Sequence, residues 1–545
     1  MATHEVFNQP PPLSGRNLFE DNLPLVEALQ REGGGWASER AREVGRFWGG
    51  EPMQWGELAN ERVPVLERFD RYGQRVDEVT FDESWHSLMA AGIRDELHAL
   101  PWRSSEPGRN VARGALFITA TQAEAGFACP TTMTFAAVPA LRAQPELAAE
   151  WEPLLTATSY DPASVPAAQK GSAICGMAMT EKQGGSDVRA NTTTATPVNG
   201  GGPGAEYEIT GHKWFCSAPM SDLFLILAQA PEGISCFAMP RILPDGSRNK
   251  ISIERLKEKL GNRSNASSEV EYSGAIARMV GEPGRGVPTI IEMVAHTRLD
   301  CVLGGAAGMR SAVAQATWHA AHRSAFGKQL IDQPLMTNVL ADLALEAEAA
   351  TVIAMRLARA YDEAEGDDSA AQFKRLATAV SKYYVCQRAP QHAFESMEVL
   401  GGAGYVEESG MPRLYREAPL NSIWEGSGNV IALDVLRALR HEPESLAGFF
   451  TELDRASSAD ARLDAAITRL RSEFENGEEL EFRARNIVEQ MAIALQAALL
   501  VQHGPSFVSD AFCASRLGEN RNLNYGGLPS GIDAAAIVAR HTPQG

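Results

Sequence analysis

The sequence predicts an α+β protein in which a β domain is inserted between helical ones. Three observations carry this. Up to roughly residue 170, apolar residues recur at three- and four-residue spacing, as in Ser84–Ala99 and Arg113–Ala125, the period of amphipathic helices. From about 172 to 283, short runs rich in Ile, Val, Phe, Tyr and Thr alternate with turn clusters. From 285 onward long helical patterns return. Helices and strands are thus segregated along the chain, which argues against a doubly wound βαβ fold.

In chain order, the first 30 or so residues are rich in Pro, Asn and Gly and read as an irregular arm that must pack on something to be ordered. The helical series that follows is broken at Cys129–Thr134. Strands are expected at Asn191–Pro197, Glu206–Ile209, Leu223–Ala228, Ile234–Met239, Ile251–Leu256 and Glu269–Tyr272, with Asn199–Gly204 as a hairpin-type breaker. Their near-regular spacing suggests an antiparallel sandwich or barrel. The best later helix is Leu335–Glu363, with Asp332-Gln333-Pro334 as its start signal and Gly366-Asp367-Asp368 as its stop. From 441 the pattern is weakly helical and rich in Glu and Arg, with an irregular stretch over Gly518–Gly531. The expected divisions are 1–171 (arm and helical domain), 172–283 (β domain), 284–440 (helical bundle) and 441–545 (helical extension).

Composition narrows the class. Of 545 residues, 44% are hydrophobic and 22% charged, the balance of an ordinary globular protein. No run of about 18 uncharged apolar residues marks a membrane span, and the start MATHEVFNQPPPL lacks the basic and apolar regions of a secretory signal. A cytoplasmic location is the expectation. The seven cysteines (Cys129, Cys175, Cys216, Cys236, Cys301, Cys386 and Cys513) are scattered and form no CxxC pair, so they read as reduced thiols rather than a disulfide framework or a metal site. The net charge of −19 disfavours non-specific nucleic-acid binding by the molecule as a whole.

Four segments have chemical potential, although each alone has a plain structural explanation. Met179–Asp187 is a polar glycine-rich turn whose N–H groups and hydroxyls, Thr180 and Ser186, can clasp an anionic or carbonyl-bearing ligand. Gly211–Ser217 is an aromatic strand end closing on a hydroxyl. Arg323–Leu330 can present Arg323 to a phosphate and Phe326 to a purine ring. Glu398–Tyr405 is followed, about 20 residues later, by Ile423–Asn429 and a helical run Val430–Leu439. Ser427 or Asn429 can cap that helix, whose N–H groups favour phosphate. Glu425 precedes the helix and adjoins Trp424, where desolvation can raise its pKa toward that of a useful base.

Together, in this order and at these separations, the segments resemble the acyl-CoA dehydrogenase family across roughly residues 85–440. Its T-E-P-x-A-G-S-D, K-x-W-I-T, R-x-x-F-G, L-G-G-x-G-Y and Y-E-G-T elements all have counterparts. Lys182-Gln183 replaces the family's Pro, Phe215 its Trp and Ser217 its Thr. The His4–Pro10 arm, Arg31–Trp36, Asn262–Ser267 and the long C-terminal extension resemble the adaptive-response branch of that family. The resemblance implies FAD as cofactor, with Met179, Thr180, Gly185, Ser186, Phe215, Cys216, Ser217, Trp424, Ser427 and Asn429 around it. Arg323 and Phe326 would reach the adenosine diphosphate half in a neighbouring subunit of a homotetramer, with Gly401 and Gly402 lining the rest beside Ser427 and Asn429. Glu425 holds the base position. Some members carry the base on an earlier helix, where this chain reads Thr297-Arg298 without a carboxylate.

The implied activity is α,β-dehydrogenation of a short or branched acyl-CoA. The branch also suggests a DNA-associated flavoprotein of the alkylation response, with weak or vestigial acyl-CoA activity. Residues 441–545 hold nine Arg, no Lys and fifteen acidic residues, a net of −6, which gives duplex DNA little support there. Arg437, Arg440, Arg516 and Arg521 remain candidates for a basic face.

Overall fold

The computed structural model describes residues 3–518 and 522–544. The chain forms two compact units, one of Glu51–Ser105 with Glu124–Thr297, the other of Met1–Gly50, Glu106–Ala123 and Arg298–Gly545.

The first unit contains a hairpin that the helical reading of this region did not anticipate, β1 (Val65–Phe69) and β2 (Arg75–Thr80). Arg75 ties it to the main sheet through Glu254 at 2.7 Å, Asp77 accepts from Ile253 N at 3.1 Å, and Arg241 reaches Glu78 at 2.9 Å. The main sheet holds β3 (Cys175–Ala178), β4 (Thr194–Pro197), β5 (Glu206–Ser217), β6 (Leu223–Ala230), β7 (Gly233–Pro240), β8 (Ile251–Leu256) and β9 (Ser267–Val280). The pairings β6–β4–β5–β9–β7 return to β6 and close a ring, with β3 added to β6 and β8 to β9.

Closure satisfies edges that an open sheet would leave unpaired. The expected antiparallel pattern needs one correction. Both β3 and β4 run parallel to β6, because the connection 179–193 is long enough to cross over. Along β5, Tyr207 and Ile209 point into the core while Glu206, Glu208 and Thr210 face out. They meet Phe224, Ile226, Phe237, Met239, Val270 and Tyr272 inside.

The second unit is helical. Gly286–His322 starts in the first unit and ends here, and is followed by Pro334–Glu363, Asp368–Val399 and Gly428–His441. The expected boundary signals work as caps. Proline occupies the first turn of Pro334–Glu363, and the Asp367 carboxylate caps the next helix by accepting from Ser369 N at 2.8 Å.

The extension is more helical than its composition suggested, with Glu444–Asp454, Ala461–Glu475, Leu480–His503 and Ala534–His541. Its charges anchor it. Arg516 pairs with Asp342 at 2.6 Å and Glu346 at 3.1 Å, and His541 bonds Glu348 at 2.9 Å. Between the long helices, a small hairpin of β10 (Ser324–Ala325) and β11 (Lys328–Gln329) projects Phe326-Gly327 at its tip. No helix among the described residues is long and apolar enough to cross a membrane.

Candidate active site

In the sheet-bearing unit, the 179–193 connection is held from inside by one buried carboxylate. Glu181 accepts from Thr192 N at 2.7 Å and Thr193 N at 3.1 Å, from the Thr192 hydroxyl and the Gln183 amide, and pairs with Lys213 Nζ at 2.9 Å. Lys213 also donates to the carbonyls of Met179 and Leu227. Both side chains are fully buried. Burial alone would favour the neutral acid, but the hydrogen bonds to Glu181 and the Lys213 charge hold its carboxyl well below the usual range. Burial lowers the Lys213 ammonium, with Glu181 opposing.

With its base fixed in this way, the connection exposes Lys182–Asp187, including Gly185 and Ser186. Gly185 passes close to Thr180, where a Cβ would lie 2.4 Å from Thr180 Oγ1. Trp214 N donates to Thr180 O at 2.8 Å, so the first two motifs are neighbours.

A β-bulge shapes the second motif. Pairing jumps from Lys213↔Val270 to Cys216↔Ser268, leaving an extra residue on β5. Lys213 and Cys216 remain buried, whereas Trp214 and Phe215 are both partly open, Phe215 at 51% exposure. Lys257 Nζ lies 3.4 Å from the Trp214 ring centre and 4.6 Å from that of Phe215. Ser217 Oγ is 3.3 Å from Ser267 Oγ. The Cys216 side chain belongs to the sheet core, and burial pushes its thiol up to about 12.

In the helical unit, Glu425 has a left-handed backbone, φ +56°, followed by Gly426 at φ +103°. Two cations hold this turn. Arg298 Nε donates to Glu425 O at 3.0 Å, while Lys382 Nζ donates to Trp424 O at 2.9 Å and Gly426 O at 2.5 Å. Arg298 is itself set by Asp434, at 2.7 Å, which Arg375 also contacts at 3.3 Å. Burial would raise the Asp434 carboxyl, but Arg298 and Arg375 bring it below its ordinary value. Trp424 Nε1 donates to Asn421 Oδ1 at 3.0 Å.

Sequence reasoning passed over Glu181, Lys213 and Lys382, and counted Arg298 only for a missing acid. The one available signal was a charge in segments otherwise destined for burial.

The remaining candidates divide. Ser427 occupies the N-cap of Gly428–His441 but its side chain makes no capping bond; it is exposed, as are Asn429, Gly401 and Gly402. Asn429 Oδ1 lies 3.5 Å from Arg485 Nη1 of the extension. Phe326 is 100% exposed at φ +54°, and Arg323 Nη1 donates to Asn8 O at 3.0 Å. The proposed basic face is not assembled as expected. Arg437 and Arg440 are exposed on one helix, but the Arg516 guanidinium is buried against Asp342 and Glu346, and Arg521 lies outside the described residues. Among the described residues no His, Cys, Asp and Glu cluster suits a metal ion.

In the sheet-bearing unit, an open aromatic ring, a hydroxyl two residues on and a glycine turn tight against a threonine are groups that can receive a flavin ring and its phosphates. Residues 176–275 match the acyl-CoA dehydrogenase middle domain and 284–440 its C-terminal domain. The chain belongs to the acyl-CoA dehydrogenase family, FAD-dependent oxidoreductases acting on CH–CH bonds.

Residues 8–162 match the N-terminal domain of the adaptive response protein AidB. Over 519 residues the chain is 45% identical to the candidate acyl-CoA dehydrogenase AidB of Escherichia coli (strain K12), covering 94% of each. Among solved structures it is similar to Caenorhabditis elegans ACDH-11 in complex with C11-CoA (26% identity, TM-score 0.85, 99% of this chain and 93% of that one). It is likewise similar to the apo form of Bd2924 (28%, TM-score 0.84, 92% and 100%).

Proposed function

We propose that this chain dehydrogenates an acyl-CoA thioester between its α and β carbons, with Glu425 as the base. The observation that carries this is the backbone at Glu425. A non-glycine residue in the left-handed region costs about 1–3 kcal/mol and persists where its surroundings over-determine it, commonly at functional sites. Here the carbonyls of Trp424, Glu425 and Gly426 are all engaged by Lys382 or Arg298. Arg298 is itself fixed by its ion pair with Asp434, so the donor that holds the Glu425 peptide is held in turn.

In the reaction, Glu425 takes the α-proton while a hydride leaves the β-carbon, giving the α,β-unsaturated thioester. FAD, when bound, supplies the hydride acceptor. Thr180, Ser186, Phe215 and Ser217 would hold the flavin end, with Arg323 and Phe326 serving the adenosine diphosphate half in a neighbouring copy of a homotetramer. The C11-CoA complex of ACDH-11 supports an acyl-CoA ligand. The test is an anaerobic titration with acyl-CoAs, short and branched chains first and extending through C11. Flavin absorbance is expected to bleach with at least one of them, and Glu425→Gln to abolish bleaching while retaining FAD. Absence of bleaching at every chain length overturns the reading.

A further inference from the structure

The N-terminal arm makes one contact whose geometry is unusually specific. In the two-residue hairpin, Ala325↔Lys328 flanks the turn and Ser324↔Gln329 is the next pair. The bond from Leu330 N to Arg323 O, at 2.9 Å, closes the pair after that. Antiparallel pairs alternate, so the N–H and C=O of Ser324 point away from β11 onto an open edge.

Asn8 covers that edge. Its side-chain Oδ1 accepts from Ser324 N at 2.7 Å, and its Nδ2 donates to Ser324 O at 2.8 Å. The amide thus does what a peptide unit of a third strand would do. Asn8 has φ +55°, a conformation asparagine tolerates better than most residues. Its own carbonyl accepts from Arg323 Nη1 at 3.0 Å, with Gln9 Oε1 at 3.5 Å from the same nitrogen. Further along, Trp318 Nε1 donates to Pro11 O at 2.8 Å. An isolated two-stranded hairpin is marginal in water, and this one carries a fully exposed Phe326 on a strained backbone.

We propose that the arm is a splint for the cofactor hairpin, and that Asn8 is a positioning residue which presets Arg323 and Phe326 for the dinucleotide. This rests on the reading that these two residues serve the adenosine diphosphate half of FAD. The arm is then part of the binding machinery, although it lies over 300 residues from the hairpin in the chain.

The experiment compares the full-length FAD-loaded protein with Asn8→Gly and Asn8→Asp. Glycine keeps the positive φ and the carbonyl to Arg323 but deletes the amide. Aspartate keeps an acceptor for Ser324 N and sets a second oxygen against Ser324 O. Hydrogen exchange over 323–330 and the FAD dissociation rate are measured alongside thermal unfolding. In both variants we expect hairpin exchange and FAD loss to accelerate by about 10-fold, the scale of one or two hydrogen bonds, with unfolding of the helical unit unchanged. Arg323→Ala and Phe326→Ala serve as controls for the underlying reading. If these controls hasten FAD loss and the Asn8 variants do not, the splint is wrong. If the controls leave FAD retention untouched, the cofactor role of the hairpin fails, and the splint with it.

Discussion

Arg298 and Glu425 lie 127 residues apart in the chain and are joined by a hydrogen bond from the guanidinium Nε to the Glu425 carbonyl at 3.0 Å. The other face of that guanidinium is committed to Asp434 at 2.7 Å. The bond is to backbone, so it sets where the Glu425 side chain starts, not its charge. Arg298, in the Thr297-Arg298 pair noted in the sequence for its missing carboxylate, thus orients the Glu425 peptide.

Replacing Arg298 by Lys keeps a cation for Asp434 but cannot reach both partners with a planar fork. Loss of one hydrogen bond to a charged donor costs about 1.5–3 kcal/mol. We expect kcat to fall by about 10- to 100-fold with FAD content preserved. Steady-state turnover beside the flavin-to-protein absorbance ratio decides this, and unchanged kcat would show that the clamp is dispensable.

Gly185→Ala tests the turn beside Thr180. The added methyl would stand 2.4 Å from Thr180 Oγ1, so the threonine must rotate or the loop shift. Because Gly185 is exposed, stability should change by less than about 1 kcal/mol. FAD affinity should fall by about 10-fold or more, measured by equilibrium titration of the apoprotein. A drop in stability with affinity intact would assign the glycine to folding alone.

Lys213→Met leaves Glu181 buried without its cation, which typically costs about 3–5 kcal/mol. The double variant with Glu181→Gln removes the stranded charge and should recover part of that loss. Urea midpoints of the single and double variants measure the coupling. Additive losses would mean that the pair is not the organising feature of the loop.

Burial pushes the pKa of His392 from 6.5 to about 4, although its bond to Leu343 O and nearby Glu346 oppose the shift. Its folded-state pKa lies below its unfolded one, so unfolded chains bind the proton first. The neutral-His392 contribution is complete above pH 6.5 and is lost as pH falls toward 4. Between about pH 7.5 and pH 5 it amounts to about 2 kcal/mol. His392→Gln should flatten this part of the stability profile, read from denaturant midpoints across that range. Parallel profiles for both proteins would contradict the assignment.

Much of the molecule was legible from local pattern. Helix periodicity and the Asp367 and Pro334 boundary signals are properties of contiguous residues, and β5 shows its core face by simple alternation. The β1–β2 hairpin escaped because its residues are mostly half-exposed, so no strong period marks it. The parallel course of β3 and β4 escaped as well. Direction depends on where a crossover lands, and no residue encodes that locally. The arginines of the extension could be counted in the sequence, but counting could not reveal that Arg516 is neutralised by Asp342 and Glu346.

By itself, the sequence determined the helical and β regions, the motifs and the residue types that flavin chemistry requires, because each depends on neighbours along the chain. Only the tertiary structure decided which charges meet them: Arg298 and Lys382 at the Glu425 turn, Lys213 on Glu181, Asn8 on Ser324. Each of these contacts joins segments far apart in sequence. Burying charges and polar groups is favourable only when folding brings their partners to the same place, and that condition belongs to the closed fold rather than to any one segment.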